Sequence, residues 1–170
     1  MKFFGRKRKE EKNSAKENEE MIHNLDLLAR VESRIAQFYA LCSQVLDTEK
    51  DFWSEMAASE RRHVDHLHRM RDLVRDAPQD FRPGANFNPA SVRLFEIKVR
   101  NLPDRKEVAE LGRRELLGLI EEIENSAVEL DYDKAVVTAN EEFNLLAREI
   151  EAETSAHQQT IAELTAALQS

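Results

Sequence analysis

All four prolines of this 170-residue chain, Pro78, Pro83, Pro89 and Pro103, fall between residues 78 and 103. Proline inside a helix removes a backbone hydrogen bond and clashes with the preceding turn, so it is excluded from helix interiors. The chain therefore divides into two proline-free blocks joined by a long, broken connector. Each block is long enough for a helical hairpin. With only four glycines and 34% charged residues, both blocks read as helices with solvated outer faces.

Apolar residues recur at alternating spacings of four and three, the mark of a helix that buries one face. Helix A, about 20–47, carries Met21, Leu25, Leu28, Ile35, Tyr39, Cys42 and Leu46. After a polar turn at Asp47–Asp51, helix B, about 50–76, carries Trp53, Met56, Leu67, Met70 and Val74. It ends before Pro78, which disfavours helix at Ala77. The connector, about 77–104, holds a short predicted helix from Ser91 to Leu102, capped by Asn88 with Pro89 at the first helical position. Helix C, about 105–131 with Asp104 as cap, carries Leu116, Leu117, Ile120, Ile123, Ala127 and Leu130. Helix D, about 135–168, carries Phe143, Leu146, Ile150, Ile161, Leu164 and Leu168, after a turn near Asp131–Lys134. Residues 1–19 read as a charged, flexible tail. Phe3, Phe4 and the run Arg6–Lys9 leave a membrane-surface or partner-docking role as the alternative.

Every stripe has a gap, and each gap is filled by a metal-ligating residue type. In helix A it is Glu32; in helix B, Glu60 and His63; in helix C, Glu124; in helix D, Glu153 and His157. Burying an unpaired carboxylate costs several kcal/mol, and no Lys or Arg occupies an in-phase core position to offset the charge. Two divalent metals would do so. Carboxylates with one imidazole per metal suit iron or manganese, and zinc fits the same donors. The spacing repeats: Glu32 precedes His63 by 31 residues and Glu124 precedes His157 by 33. Two pseudo-symmetric hairpins would bring both sets to one layer. Among neighbouring residues, His66 and His68 fall off the stripe and read as edge histidines, and Glu121 and Glu129 are alternative helix-C ligands. Tyr39 and Tyr132 read as core residues able to hydrogen-bond the carboxylates, and Cys42 as a small core residue.

The segments Ala29–Glu32 through Phe38-Tyr39, Glu60–His63, Ile123–Ala127 through Tyr132, and Glu153–His157 resemble the ferritin-like superfamily, in its rubrerythrin-type branch. The likeness spans about residues 20–168. It implies an all-α, ferritin-like antiparallel four-helix bundle with a long crossover between helices B and C. It also implies a non-haem centre of two iron ions per chain. By position, Glu60 and a helix-D carboxylate would bridge or cap the irons, Glu32 and Glu124 would be further ligands, and His63 and His157 would sit on separate irons. Three positions depart from the pattern. The helix-D carboxylate is expected at 154, where Thr154 stands. Glu153, four residues before His157, either replaces it or leaves the site one carboxylate short. Ala127 stands where peroxide-reducing members carry a further Glu, and there is no rubredoxin-like four-cysteine module.

The function implied is oxidation of Fe(II) by O₂ or peroxide, with an external electron donor for any reductase activity. The alternative is a ferritin-like metal-binding or scaffold protein with a partly degraded site. Iron storage would need a closed assembly that no sequence feature specifies; a homodimer is the default. The net charge of −8 argues against phosphate-backbone binding and nucleic-acid partners. Cys42 is the one cysteine, which excludes a disulfide framework and suits a cytoplasmic setting. No stretch approaches the roughly 20 apolar residues of a membrane span, and the basic N-terminus lacks the apolar run of a secretory signal.

Overall fold

A computed structural model of the chain describes residues 2–128, 130 and 132–167; of residues 2–12, Thr48 and Val128 it describes the backbone alone. The protein is mostly helical. Its elements are α1 (Lys2–Val45), α2 (Lys50–Asp76), β1 (Phe81–Pro83), α3 (Pro89–Arg100), α4 (Arg105–Glu110), α5 (Arg113–Val128), β2 (Val136–Thr138) and α6 (Glu141–Ala167). No helix among the described residues is long and apolar enough to cross a membrane.

The predicted stripes are the core. Met21, Leu25, Leu28, Ile35, Tyr39 and Cys42 of α1 are buried, as are Trp53, Met56, Leu67, Met70 and Val74 of α2. Leu116, Leu117, Ile120, Ile123 and Ala127 of α5 and Phe143, Ile150 and Ile161 of α6 complete it. Leu46, Leu146 and Leu164 pack at its margin, and Leu168 lies outside the described residues. Burying one such side chain contributes about 1.5–3 kcal/mol, so the shared apolar face, rather than helix propensity, holds the helices together. α1 and α2 form an antiparallel hairpin turned at Leu46–Glu49, and α6 packs against both α2 and α5.

Three expected boundaries shift, each for a local reason. The expected tail is helical in its backbone from Lys2 onward, because its Lys- and Glu-rich stretch from Lys7 to Glu20 holds good helix formers and no proline. Asn13 donates to Glu17 one turn on, at 2.6 Å. The side chains of Phe3, Phe4 and Arg6–Lys9 lie outside the described residues. Helix C is divided: α4 ends at Glu110 and α5 starts at Arg113, with Gly112 between them. The Gly112 amide is satisfied by Glu115 Oε2 at 3.0 Å. Helix D starts at Glu141 rather than near 135. The β-branched run Val136-Val137-Thr138 forms a strand instead, and Asn140 caps the helix by accepting from the Phe143 amide at 2.9 Å.

That strand pairs antiparallel with β1, in the register Phe81↔Thr138, Arg82↔Val137 and Pro83↔Val136. The ladder ties the start of the connector to the turn before α6 and was not expected in an all-α chain. Here Gly84 passes so close to Lys134 that any Cβ would collide with its carbonyl oxygen. The connector helix forms over Pro89–Arg100 rather than Ser91–Leu102, with the expected cap: Asn88 accepts from the Ala90 and Ser91 amides. Asp104 makes a reciprocal capping box with Glu107. α3 lies on α1, joined by Arg30–Glu96 at 3.1 Å. The expected turn at Asp131–Lys134 includes a 3₁₀ turn at Tyr132–Lys134; Asp131 itself lies outside the described residues.

Candidate metal centre

Glu60 of α2 lies at the middle of the core with a histidine on each side. Its Oε2 is 3.1 Å from His63 Nδ1 and its Oε1 is 3.0 Å from His157 Nδ1 on α6. Each histidine nitrogen also faces one further carboxylate. His63 Nδ1 is 3.8 Å from Glu32 Oε2 of α1, and His157 Nδ1 is 3.8 Å from Glu124 Oε2 of α5. The result is two donor groups, Glu32–Glu60–His63 and Glu60–Glu124–His157, that share Glu60. Two ligand atoms held about 2.0–2.2 Å from one ion stand at most about 4.4 Å apart, so separations of 3.0–3.8 Å suit a metal in each group.

Buried polar atoms normally find hydrogen-bond partners. Here Glu124 Oε2 is buried with none. It faces His157 Nδ1 at 3.8 Å across a gap where a cation would satisfy both. Among the described residues no Lys or Arg is buried; the buried charged groups are Glu32, Glu60, His63 and Glu124. Five of the expected ligands, Glu32, Glu60, His63, Glu124 and His157, are thus gathered at one layer.

The electrostatics follow from burial without a cation. Burial, then the charge of Glu60, pushes Glu32 up to about 8, and burial and Glu60 likewise push Glu124 up to about 8. Burial would raise Glu60 too, but hydrogen bonds with His157 and His63 outweigh it and hold this carboxylate well below the usual range. For His63 burial opposes the charged form, yet the bonds to Glu32 and Glu60 prevail and raise it to about 10. Protons therefore neutralise the metal-free centre, and a divalent ion would displace them.

The two tyrosines cross between the halves. Tyr39 of α1 donates its hydroxyl proton to Glu124 Oε1, and Tyr132, beyond α5, donates to Glu32 Oε1. Each tyrosine holds the carboxylate of the opposite half, leaving that carboxylate's second oxygen directed at its histidine. Burial first, and then Glu124 or Glu32 respectively, raise both phenols well above their ordinary value, so they act as donors.

Glu153 is the expected ligand that stands apart. Its Oε2 accepts from Ser59 and from Arg62 Nη2 at 2.9 Å, and lies 3.3 Å from Nε2 of His63. It therefore touches the nitrogen of His63 that points away from Glu60 and belongs to neither donor group. Burial pushes its carboxyl up, but Ser59 and Arg62 prevail and hold it below the usual range. At 3.3 Å Glu153 is a close neighbour of that His63 nitrogen but makes no hydrogen bond with it. Thr154 is buried and donates to the carbonyl of Ile150 at 2.9 Å.

Sequence reasoning missed Ser59 and Arg62. Ser59 stands four residues before His63 as Glu153 stands four before His157, so the repeat itself carried that signal. His66 lies at an edge, 3.7 Å from Glu149. His68 and Glu121 are half-buried and outside both donor groups; Glu129 lies outside the described residues. Cys42 is buried, and burial pushes its thiol up to about 12, which suits core packing. Comparison with protein families, with curated proteins and with solved structures gives no match to this chain.

Proposed function

We propose that this chain is a ferritin-like four-helix bundle, with a long crossover between its second and third helices, that binds two iron ions and oxidises Fe(II) with O₂ or peroxide. One observation carries the reading. Glu60 lies between two histidines, each with its own second carboxylate, in an interior with no buried Lys or Arg among the described residues. α1 and α2 correspond to the first hairpin, α5 and α6 to the second, and the segment between residues 77 and 112 to the crossover.

Glu32, Glu60 and His63 would hold one ion, and Glu60, Glu124 and His157 the other. Bound iron would supply the electrons that reduce the oxidant. The chain's own part is to keep the ions together through Glu60, to direct Glu32 and Glu124 through Tyr132 and Tyr39, and to exclude bulk water with the surrounding core. Three carboxylates and two imidazoles favour iron or manganese over softer metals. Reductase turnover would draw electrons from outside these residues, since Cys42 is the one cysteine.

The test is anaerobic loading of the full chain with Fe(II), followed by metal analysis and exposure to air. Near two irons per chain, with near-ultraviolet absorption from ferric iron on carboxylate and imidazole ligands, is the expected result. Both signals should be lost in Glu60→Ala, whereas His63→Ala, which leaves the Glu60–Glu124–His157 group intact, should hold one iron. A well-folded chain that takes up no metal would sink the proposal. Thr154, buried where a carboxylate would complete the symmetry, favours one second reading: a protein that binds metal without turnover. Stable ferrous loading that air does not oxidise would select it.

A further inference from the structure

α3 is held by one side. Val92, Phe95 and Val99 are its buried residues and belong to the core. At 3.6 residues per turn, Ala90, Leu94, Ile97 and Asn101 fall within about 60° of one another, roughly half a turn from that buried side. All four are exposed, Leu94 at 70% and Ile97 at 53%. Two branched aliphatic side chains, one turn apart, thus form the outermost crest of the helix.

The flanks of the crest carry positive charge. Toward α1, Arg93 donates to His23 Nε2 at 3.3 Å, while Arg30 and Arg100 share the carboxylate of Glu96, each at 3.1 Å. These contacts join three guanidiniums and one carboxylate. On the other flank Lys98 reaches Glu122 at 2.7 Å. The local surplus is the reverse of the chain's net charge of −8. A second segment has the same chemistry by sequence: residues 2–12, on the helix that α3 lies along, hold six basic residues against two acidic, with Phe3 and Phe4 among them.

Charge and shape together select the occupant. Pairing two copies through this crest would set Arg93 and Arg100 against the basic flanks of the other copy, and like charges across an interface oppose association. An acidic protein would match the charge, but a convex crest of two aliphatic residues offers far less than the roughly 800 Å² per partner of a specific protein interface. A bilayer needs no complementary groove. A helix with apolar side chains outward and basic flanks lies in the headgroup region of anionic lipid.

We infer that the outer face of α3 docks this protein on an anionic lipid surface. Leu94 and Ile97 insert among the headgroups, and Arg30, Arg93 and Arg100 lie beside the lipid phosphates.

The test is co-sedimentation of the full chain, at low salt, with vesicles of phosphatidylcholine and phosphatidylserine in equal parts, against vesicles of phosphatidylcholine alone. Binding to the mixed vesicles only is the expected result. Leu94→Ser combined with Ile97→Ser should lower the bound fraction several-fold, and so should Arg93→Gln combined with Arg100→Gln. All four residues are exposed, so both variants should keep their fold, checked by circular dichroism. Val137→Thr combined with Leu145→Ser, which removes the other large exposed apolar side chains among the described residues, should bind as the wild type does. No binding to the mixed vesicles, or equal binding to phosphatidylcholine alone, would overturn the docking surface. Unchanged binding after loss of Leu94 and Ile97 would overturn it too, leaving the contact to residues 2–12. Tighter binding to soluble poly-glutamate than to the mixed vesicles would assign the face to an acidic protein instead.

Discussion

The hydroxyl of Tyr39 on α1 donates to Glu124 on α5, 85 residues further along the chain, and Tyr132 returns the same service to Glu32. Each half of the protein thereby orients the outer carboxylate of the other. Tyr39→Phe leaves a buried carboxylate oxygen without its donor, a loss of about 1–3 kcal/mol. Urea denaturation of metal-free protein should show that loss for Tyr39→Phe and a similar one for Tyr132→Phe. Wild-type stability in both variants would mean that the pairs contribute nothing.

Glu60 is the one residue common to both donor groups. Glu60→Ala should therefore remove both metals, while Glu32→Ala and Glu124→Ala each remove one. Metal analysis after gel filtration distinguishes these outcomes. One ion retained in Glu60→Ala would refute the sharing.

Glu153 tests the difference between a ligand and a residue that holds a ligand in place. Its contacts run to Ser59, Arg62 and the far nitrogen of His63. Loss of such a partner lowers metal affinity by about 10–100-fold. Glu153→Ala should show that drop by competition with a chelator, yet still fill with two metals at saturation. A permanent fall to one metal would make Glu153 a ligand after all.

The pH dependence of the metal-free protein has a defined sign. Glu32 and Glu124 are raised from 4.5 to about 8, so between those values the folded state holds more protons than the unfolded state. Stability then falls as pH rises through that window. His63, raised from 6.5 to about 10, adds to the fall from about pH 6.5 upward. Glu60, held below its ordinary value, contributes stability that is lost only as pH drops below the usual carboxylate range. Urea midpoints measured in chelator should decline from pH 5 to pH 8. Metal loading should flatten or reverse that decline, because the ions replace the protons. A rising midpoint in chelator would contradict the buried-carboxylate account.

Asn140 starts α6 by accepting from the Phe143 amide. Asn140→Ala should cost about 1 kcal/mol, read as a lower denaturation midpoint with metal content unchanged. No shift in midpoint would mean that the strand before it, rather than the cap, sets the start of the helix.

The amino-acid sequence by itself determined the helical stripes, the proline-rich connector and the five Glu and His residues that gather at one layer. Helical periodicity is local and tells which residues share a face. The cost of burying Glu32, Glu60, His63 and Glu124 without partners tells that they must meet. Only the tertiary structure decided how they meet. Tyr39 and Tyr132 were legible as core residues, but periodicity names no partner across an interface, so their exchange between halves was not. Glu153 and Thr154 sit side by side on α6, and 100° of helical rotation sends one to the far nitrogen of His63 and the other into the core. The pairing of Val136–Thr138 with Phe81–Pro83 joins segments distant in the chain. Its strand signal, three β-branched residues, is too short to outweigh a helical setting until a partner edge is present.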